Sequence, residues 1–175
     1  IKRIAIKFGA EVPFIRPKKL SGDNVSIIDV IVHGIKKLRS LSYEFDTIAI
    51  RDCTVPFLSI DDMKGSVNLL KRKKCNGVFA VYEQHNNPYF NMVEVNDKKN
   101  VSLIKDGNFS NRQSAPLVYD MNSSIYTWWT DILVEKKSIF LPKTRIHIMP
   151  RERSIDIDEP LDFRIAELIM KEKNI

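Results

Sequence analysis

The apolar residues of the chain follow two periods, one helical and one strand-like. Apolar positions three to four residues apart predict amphipathic helices, which we expect over residues 1–8, 27–38, 59–74, 130–136 and 159–173. Short apolar or alternating runs predict strands, which we expect over residues 46–50, 77–82, 89–95, 101–104, 125–129 and 145–149. The chain is therefore predicted to alternate between the two kinds of element.

This alternation predicts an α/β protein with one mixed, mostly parallel sheet and helices on both of its faces. The two neighbouring strands over residues 89–104 predict a hairpin insertion, so some antiparallel pairing is expected within residues 85–129. The length of 175 residues is that of one domain, so we expect a single domain over 1–175.

Composition and charge narrow the functional classes. The hydrophobic content of 43% is that of a globular protein. No apolar run approaches the roughly 18 residues that cross a bilayer, so we expect no membrane partner. Cys53 and Cys75 have neither metal-site nor disulfide spacing, which favours a reducing cytoplasm.

The net charge of +6 suits either an anionic small molecule or nucleic acid. The basic run over residues 71–74 ends a predicted helix and contains no aromatic residue. Basic residues at a helix C-terminus are stabilised by the helix dipole, and single-stranded nucleic acid is bound with the help of stacked aromatic rings. We therefore expect no nucleic-acid partner.

The strongest candidate for chemistry is the acidic run at residues 154–158. If this run is an extended strand, Ile155 and Ile157 point to the core, whereas Asp156 and Asp158 share the opposite face. Two carboxylates on one face suit a magnesium ion bound to a substrate phosphate. The alternative is a polar strand end, with Asp158 placed at the favourable N-terminus of the following helix.

Two further positions are candidates for ligand binding. The loop over residues 51–57 follows a predicted buried strand, and in α/β sheets ligands gather at the carboxyl ends of strands. Arg16 lies between apolar residues in an extended, proline-flanked segment, where it is either an anion clamp or a surface arginine.

Several motifs, in order along residues 9–170, resemble those of the acylneuraminate (CMP-sialic acid) cytidylyltransferases. No single motif is decisive, but their order and spacing agree with the family. The motifs are Pro13-Phe14-Ile15-Arg16-Pro17, Arg112-Gln113-x-x-Pro116-x-x-Tyr119-x-x-Asn122 followed by Ile125-Tyr126, and Ile148-Met149 followed by Ser154-Ile155-Asp156-Ile157-Asp158 and Leu161-Asp162.

The resemblance implies a Rossmann-like three-layer α/β/α nucleotidyltransferase fold and a specific reaction. Such enzymes transfer CMP from CTP to the anomeric hydroxyl of a nonulosonic, sialic-acid-like sugar and release pyrophosphate. The resemblance also implies a Mg²⁺ cofactor, CTP and a nonulosonic acid as substrates, and a homodimer in which one subunit reaches over the site of the other. Residues 85–129 would then serve sugar binding and dimerisation.

The resemblance further implies roles for individual residues. Asp156 and Asp158 would hold the magnesium ion, and Arg112 would pair with the sugar carboxylate in a forked contact that lysine cannot copy. The other implied roles are Tyr126 and Phe140 in the sugar pocket, Gln113 and Asn122 in support of the sugar loop, and Arg16 and Thr54 beside the nucleotide.

Four departures from the family pattern leave alternatives open. The glycine-rich phosphate loop of the family would precede Ile1, so we expect a chain truncated at its N-terminus that is a poor catalyst alone. Val55 replaces a serine of the nucleotide loop, and Ser123 replaces a glycine of the sugar loop. A lysine expected after Pro88 is also missing, so we expect an altered sugar such as legionaminic or pseudaminic acid. The alternatives are a non-catalytic or truncated homologue and a transferase of another nucleotide.

Overall fold

A computed structural model describes residues 1–173 of the chain, and each predicted helix and strand has a counterpart in it. The helices are α1 (Lys2–Lys7), α2 (Ile27–Ser40), α3 (Ile60–Arg72), α4 (Thr130–Lys136) and α5 (Pro160–Lys173). The strands are β1 (Thr47–Ile50), β2 (Gly77–Glu83), β3 (Val93–Val95), β4 (Val101–Leu103), β5 (Tyr119–Trp129) and β6 (Arg145–Ile148). Short 3-10 helices span Lys18–Leu20, Arg112–Ser114 and Arg151–Arg153.

Local sequence signals set the ends of several helices. Ser59 and Asp62 form a capping box at the start of α3, in which each side chain accepts a hydrogen bond from the backbone N–H of the other. Gly9 follows α1 with a φ of +87°, a left-handed conformation that glycine adopts without steric cost. Both ends therefore lie where capping chemistry predicts them.

The main sheet has the strand order β1-β5-β2-β6. Strand β5 lies between β1 and β2 and is antiparallel to both, whereas β2 and β6 are parallel. Strands β1, β2 and β6 therefore run in one direction. The prediction of a mixed sheet is confirmed, but "mostly parallel" is wrong for the pairing, because the reversed β5 makes two of the three pairings antiparallel.

Strands β3 and β4 form a separate two-stranded antiparallel sheet, which confirms the hairpin insertion. The segment 85–129 contains both this hairpin and β5, so its last eleven residues belong to the main sheet.

Helices cover both faces of the main sheet. On one face, Phe79 and Val81 of β2 pack with Ile31 and Ile35 of α2. On the other face, Val78 of the same strand packs with Leu70 of α3. Successive residues of β2 are thus buried on opposite sides, and the three-layer α/β/α arrangement is confirmed.

Two local predictions are wrong. Residues 154–158, called the acidic segment from here on, belong to no strand, and both Ile155 and Ile157 are only half-buried. The apolar period of residues 159–173 predicts that α5 buries a stripe of Leu161, Ile165, Leu168 and Ile169, but Leu161 is 60% and Leu168 is 58% exposed. Along residues 1–173, no helix combines the length and the hydrophobicity needed to span a membrane.

Candidate active site

The carboxyl ends of β1, β2 and β6 lie at the same edge of the sheet as the start of β5. A cavity of about 440 Å³ opens at this edge. Four carboxylates and one guanidinium line it together with a tyrosine, and we call it the acidic cavity. These residues are Tyr82, Asp120, Arg151, Asp156, Asp158 and Asp162.

Asp156 and Asp158 both line the acidic cavity, so they face the same space although their segment is not a strand. The Oδ1 atom of Asp156 is buried and has no hydrogen-bond partner among the described residues. A buried acceptor without a partner costs free energy, so its position in an acidic cavity fits a site for a cation.

The donor set fits magnesium bound together with a phosphate. Within residues 1–173, no group of three or more His, Cys, Asp or Glu side chains is arranged to hold a metal ion. Mg²⁺ commonly binds to proteins through only one or two carboxylates, with substrate phosphates and water as its other ligands. Asp156 and Asp158 could supply such a pair.

Hydrogen bonds hold the acidic segment in place. The backbone N–H of Ile157 donates to the carbonyl oxygen of Thr54 at 3.0 Å. Asn122, which is only 2% exposed, donates from Nδ2 to Ser154 Oγ at 2.8 Å and accepts from Ser124 Oγ at 2.6 Å. The segment is thus joined to the loop after β1 and to β5.

An ion pair between half-buried Arg153 and buried Asp62 adds another attachment. Nε and Nη2 of Arg153 donate to the two carboxylate oxygens of Asp62 in α3, each at 2.9 Å. Burial alone would raise the pKa of Asp62, but hydrogen bonds from Arg153 and Ser59 outweigh it and lower this pKa to about 2. His147 Nε2 lies 3.7 Å from the same carboxylate. Asp62 is therefore ionised at neutral pH.

A second cavity, of about 210 Å³, lies beside the first. It contains the predicted sugar-pocket residues Tyr126 and Phe140, and we call it the aromatic cavity. Phe79 packs edge-on against both rings, with centroids 5.4 and 5.3 Å apart. Met121 lines both cavities, so they share a wall.

Asp52 is the charged residue among those lining the aromatic cavity. Burial raises the pKa of its carboxyl group, and the negative charge of Asp156 raises it further. The two cavities are therefore electrostatically coupled through these carboxylates. The sequence indicates the loop over residues 51–57 as a candidate site but does not single out Asp52. The position of Asp52 directly after β1 is the signal that could have identified it.

Two further residues of the acidic cavity, Arg151 and Tyr82, were not predicted from the sequence, because no local motif marks either of them. Arg151 lines the acidic cavity three residues after β6. Tyr82 donates from its hydroxyl group to Asp120 at 2.9 Å in the same cavity. Burial raises the pKa of Tyr82, and the hydrogen bond to Asp120 raises it further.

Three other predicted site residues are not among those that line the two cavities. Arg112 and Gln113 are exposed in a 3-10 helix, and neither belongs to the residues that line the acidic or the aromatic cavity. Arg16 lines a groove between α2 and β1, which shares Ile27, Ile31 and Ile50 with the aromatic cavity. The contacts of these three residues with substrates stay predictions.

Thr54 and Val55 have structural contacts in the loop after β1. The carbonyl oxygen of Thr54 holds the acidic segment, as described above. Val55 is fully buried, and its carbonyl oxygen accepts from Arg51 Nη2 at 2.9 Å. Val55 is thus part of the core.

The chain resembles known proteins in both sequence and structure. No protein-family model matches the chain. A solved CMP:2-keto-3-deoxy-manno-octonic acid synthetase complexed with CTP superposes with a TM-score of 0.62 at 12% identity, over 98% of this chain and 77% of that one. At this identity the likeness shows a shared fold, which is that of a cytidylyltransferase.

Two sequence relatives carry the assignment further. Post-translational flagellin modification protein B of Campylobacter coli is 38% identical over the whole chain and 74% of its own length. CMP-N,N'-diacetyllegionaminic acid synthase of Campylobacter jejuni subsp. jejuni serotype O:2 is 36% identical over the same shares. The chain belongs to the family of CMP-nonulosonic acid cytidylyltransferases, which confirms the resemblance seen in its motifs.

Proposed function

We propose that the protein transfers CMP from CTP to the anomeric hydroxyl of a nonulosonic, sialic-acid-like sugar and releases pyrophosphate. The observation that carries this proposal is the acidic cavity, in which Asp156 and Asp158 face one space and Asp156 Oδ1 lacks a partner. Membership of the cytidylyltransferase family supports the same reaction.

The acidic cavity would be the place of phosphoryl transfer. Asp156 and Asp158 would hold Mg²⁺, which would supply positive charge to the phosphates when bound. Arg151 lines the same cavity and would donate hydrogen bonds to phosphate oxygens. Catalysis of this kind depends on positioning and on charge stabilisation, since the anomeric hydroxyl itself attacks the α-phosphorus.

The aromatic cavity would hold the sugar. Tyr126 and Phe140, which line it, would contact the apolar parts of the sugar, and Asp52 would accept from a hydroxyl or amide N–H group. The shared wall at Met121 would bring the sugar next to the triphosphate. Arg112 would pair with the sugar carboxylate, Gln113 and Asn122 would support the sugar loop, and Arg16 and Thr54 would serve the nucleotide.

We propose a sugar of the legionaminic type. One relative is named for N,N'-diacetyllegionaminic acid. The Asp52 carboxylate beside two aromatic rings also suits a sugar that bears hydrogen-bond donors on an otherwise apolar face.

The test is release of pyrophosphate from CTP, with UTP, GTP and ATP in parallel reactions and a panel of nonulosonic acids as acceptors. We expect turnover with CTP and a legionaminic-type acid in the presence of Mg²⁺. Turnover of N-acetylneuraminic acid alone would overturn the sugar assignment. Absence of turnover with every pair would overturn the reaction itself.

We further propose a cytoplasmic homodimer. The exposed valines of the β3–β4 hairpin offer an apolar surface to a second copy, with Val93 53%, Val95 63% and Val101 64% exposed. A CTP-dependent reaction and two unpaired thiols, Cys53 and Cys75, suit a reducing cytoplasm. Light scattering after gel filtration tests the dimer, and a monomeric mass at micromolar concentration would contradict it.

A further inference from the structure

The Asp62–Arg153 pair lies behind the acidic cavity, outside the residues that line it. Arg153 is the last residue of the 3-10 helix Arg151–Arg153, and the acidic segment begins at the next residue. Arg151 and Ser154, on either side of Arg153, both line the cavity. The guanidinium group of Arg153 therefore holds the backbone from which the cavity residues extend.

Asp62 is itself held firmly. Its side chain is 5% exposed, and its Oδ2 accepts hydrogen bonds from Ser59 N at 3.1 Å and from Ser59 Oγ at 2.7 Å. The same residue stands in the first turn of α3, which packs on the sheet through Leu70. Asp62 thus connects a packed helix to the 3-10 turn that precedes the candidate metal ligands.

The contact between Arg153 and Asp62 fixes an orientation in addition to neutralising charge. Two parallel N–H donors of Arg153 meet two carboxylate oxygens at equal distances of 2.9 Å, which fixes the guanidinium plane as well as its position. A lysine would neutralise the charge but could not fix this orientation. Asp156 and Asp158, three and five residues further along the chain, need a fixed orientation if they are to bind one metal ion.

We propose that the Asp62–Arg153 pair positions Asp156 and Asp158 for a divalent cation. Asp62 and Arg153 are then positioning residues of the proposed reaction. This inference rests on the proposed function for its metal. Partners that orient metal ligands from outside the coordination shell commonly change metal affinity or activity by about 10- to 100-fold when they are replaced.

The experiment compares wild type with Arg153→Lys and Asp62→Asn. Binding of Mn²⁺, a paramagnetic substitute for Mg²⁺, is measured by electron paramagnetic resonance with CTP present and sugar absent. We expect both variants to keep their circular dichroism spectrum and to bind Mn²⁺ at least about tenfold more weakly. The control is Asp131→Asn, which breaks the 2.7 Å ion pair with Arg39 between α4 and α2, and its Mn²⁺ affinity should match that of wild type.

The outcomes separate this inference from the proposed function. If folded Arg153→Lys and Asp62→Asn bind Mn²⁺ as wild type does, or if wild type binds none, the inference is overturned. A weakening by the control of the same size would also overturn it. If wild type binds Mn²⁺ and the two variants bind it weakly, but no CMP-sugar forms with any acceptor, the positioning role stands and the proposed reaction fails.

Discussion

The backbone N–H of Ile157 donates a hydrogen bond of 3.0 Å to the carbonyl oxygen of Thr54. This contact joins the acidic segment to the loop that follows β1, which also carries Asp52. It accounts for the proximity through which Asp156 raises the pKa of Asp52. This backbone contact therefore joins two loops that are distant in sequence, and each loop contributes a carboxylate to one of the two cavities.

We expect the double variant Asp156→Asn, Asp158→Asn to lose CMP-sugar synthesis by at least about 10²-fold while keeping its fold. Asp156 Oδ1 accepts no hydrogen bond among the described residues, so its replacement removes no stabilising contact of that atom. The repulsion between Asp156 and Asp52 is removed at the same time. Pyrophosphate release and the melting temperature measure the two effects. A variant that unfolds, with unchanged activity per folded molecule, would identify the pair as structural.

We expect Asp52→Asn to raise the KM for the sugar by about tenfold or more, because a charged acceptor in the aromatic cavity becomes a neutral one. The KM for CTP and the dependence on Mg²⁺ should change little. Initial rates with each substrate varied in turn separate these constants. An increase confined to the KM for CTP would assign Asp52 to the nucleotide instead.

Asp62 predicts an acid-dependent loss of stability. Its pKa is about 2 in the folded protein and 3.8 for an unperturbed carboxyl group. Because the folded state binds this proton more weakly, Asp62 stabilises the protein above the unfolded pKa, and this stabilisation is lost as the pH falls through the folded pKa. The difference in unfolding free energy between wild type and Asp62→Asn should be roughly 2 kcal/mol at pH 7.

Urea unfolding at pH 7, 4, 3 and 2 measures this difference directly. It should shrink steadily below pH 4, because protonated Asp62 resembles the asparagine of the variant. A difference that stays constant down to pH 2 would show that the folded pKa of Asp62 is not lowered.

We expect Asn122→Ala to destabilise the protein by about 1–3 kcal/mol, because the buried hydroxyl groups of Ser124 and Ser154 lose their amide partner. Asn108→Ala, at an exposed position, is the control and should change stability by less than about 0.5 kcal/mol. Urea unfolding of both variants tests this prediction. Equal effects would contradict a special role of the buried amide.

Ser123 has a φ of +52° within β5, a conformation that costs a residue with a side chain about 1 kcal/mol. We therefore expect Ser123→Gly to raise the free energy of unfolding by up to about 1 kcal/mol. Ser102→Gly in β4 is the control, since Ser102 is not among the residues with positive φ, and glycine there should destabilise the strand. Destabilisation by both substitutions would contradict the strain at Ser123.

Local features of the fold were predictable because they depend on neighbouring residues. The period of Ile31 and Ile35 predicts α2. Ser59 and Asp62, three residues apart, have the spacing of a capping box, and α3 begins there. The direction of β5 was not predictable in this way, because an apolar run is equally compatible with parallel and antiparallel neighbours. The exposure of Leu161 and Leu168 was not predictable either. It depends on which parts of the protein pack against α5, and the apolar period of the helix carries no information about them.

The candidate site was predictable only in its motif residues. Asp156 and Asp158 were found from their spacing and the family pattern, and the structure brings both to one cavity. Arg153 and Asp62 are 91 residues apart, so no local pattern connects them. The strand considered for the acidic segment does not form. The backbone N–H of Ile157 donates to a loop carbonyl oxygen and Ser154 is held by the Asn122 side chain, so the hydrogen bonds come from outside any strand ladder.

The reversed strand β5 has a consequence for how the protein acquires its activity. Its first residues reach the edge where the other three strands end, so the cavities take their walls from both halves of the chain. Contacts between remote segments form slowly, because long loops must close first. During refolding, secondary structure should thus return well before nucleotide affinity, and a chain cut between β2 and β5 should recover neither cavity until its two pieces reassociate.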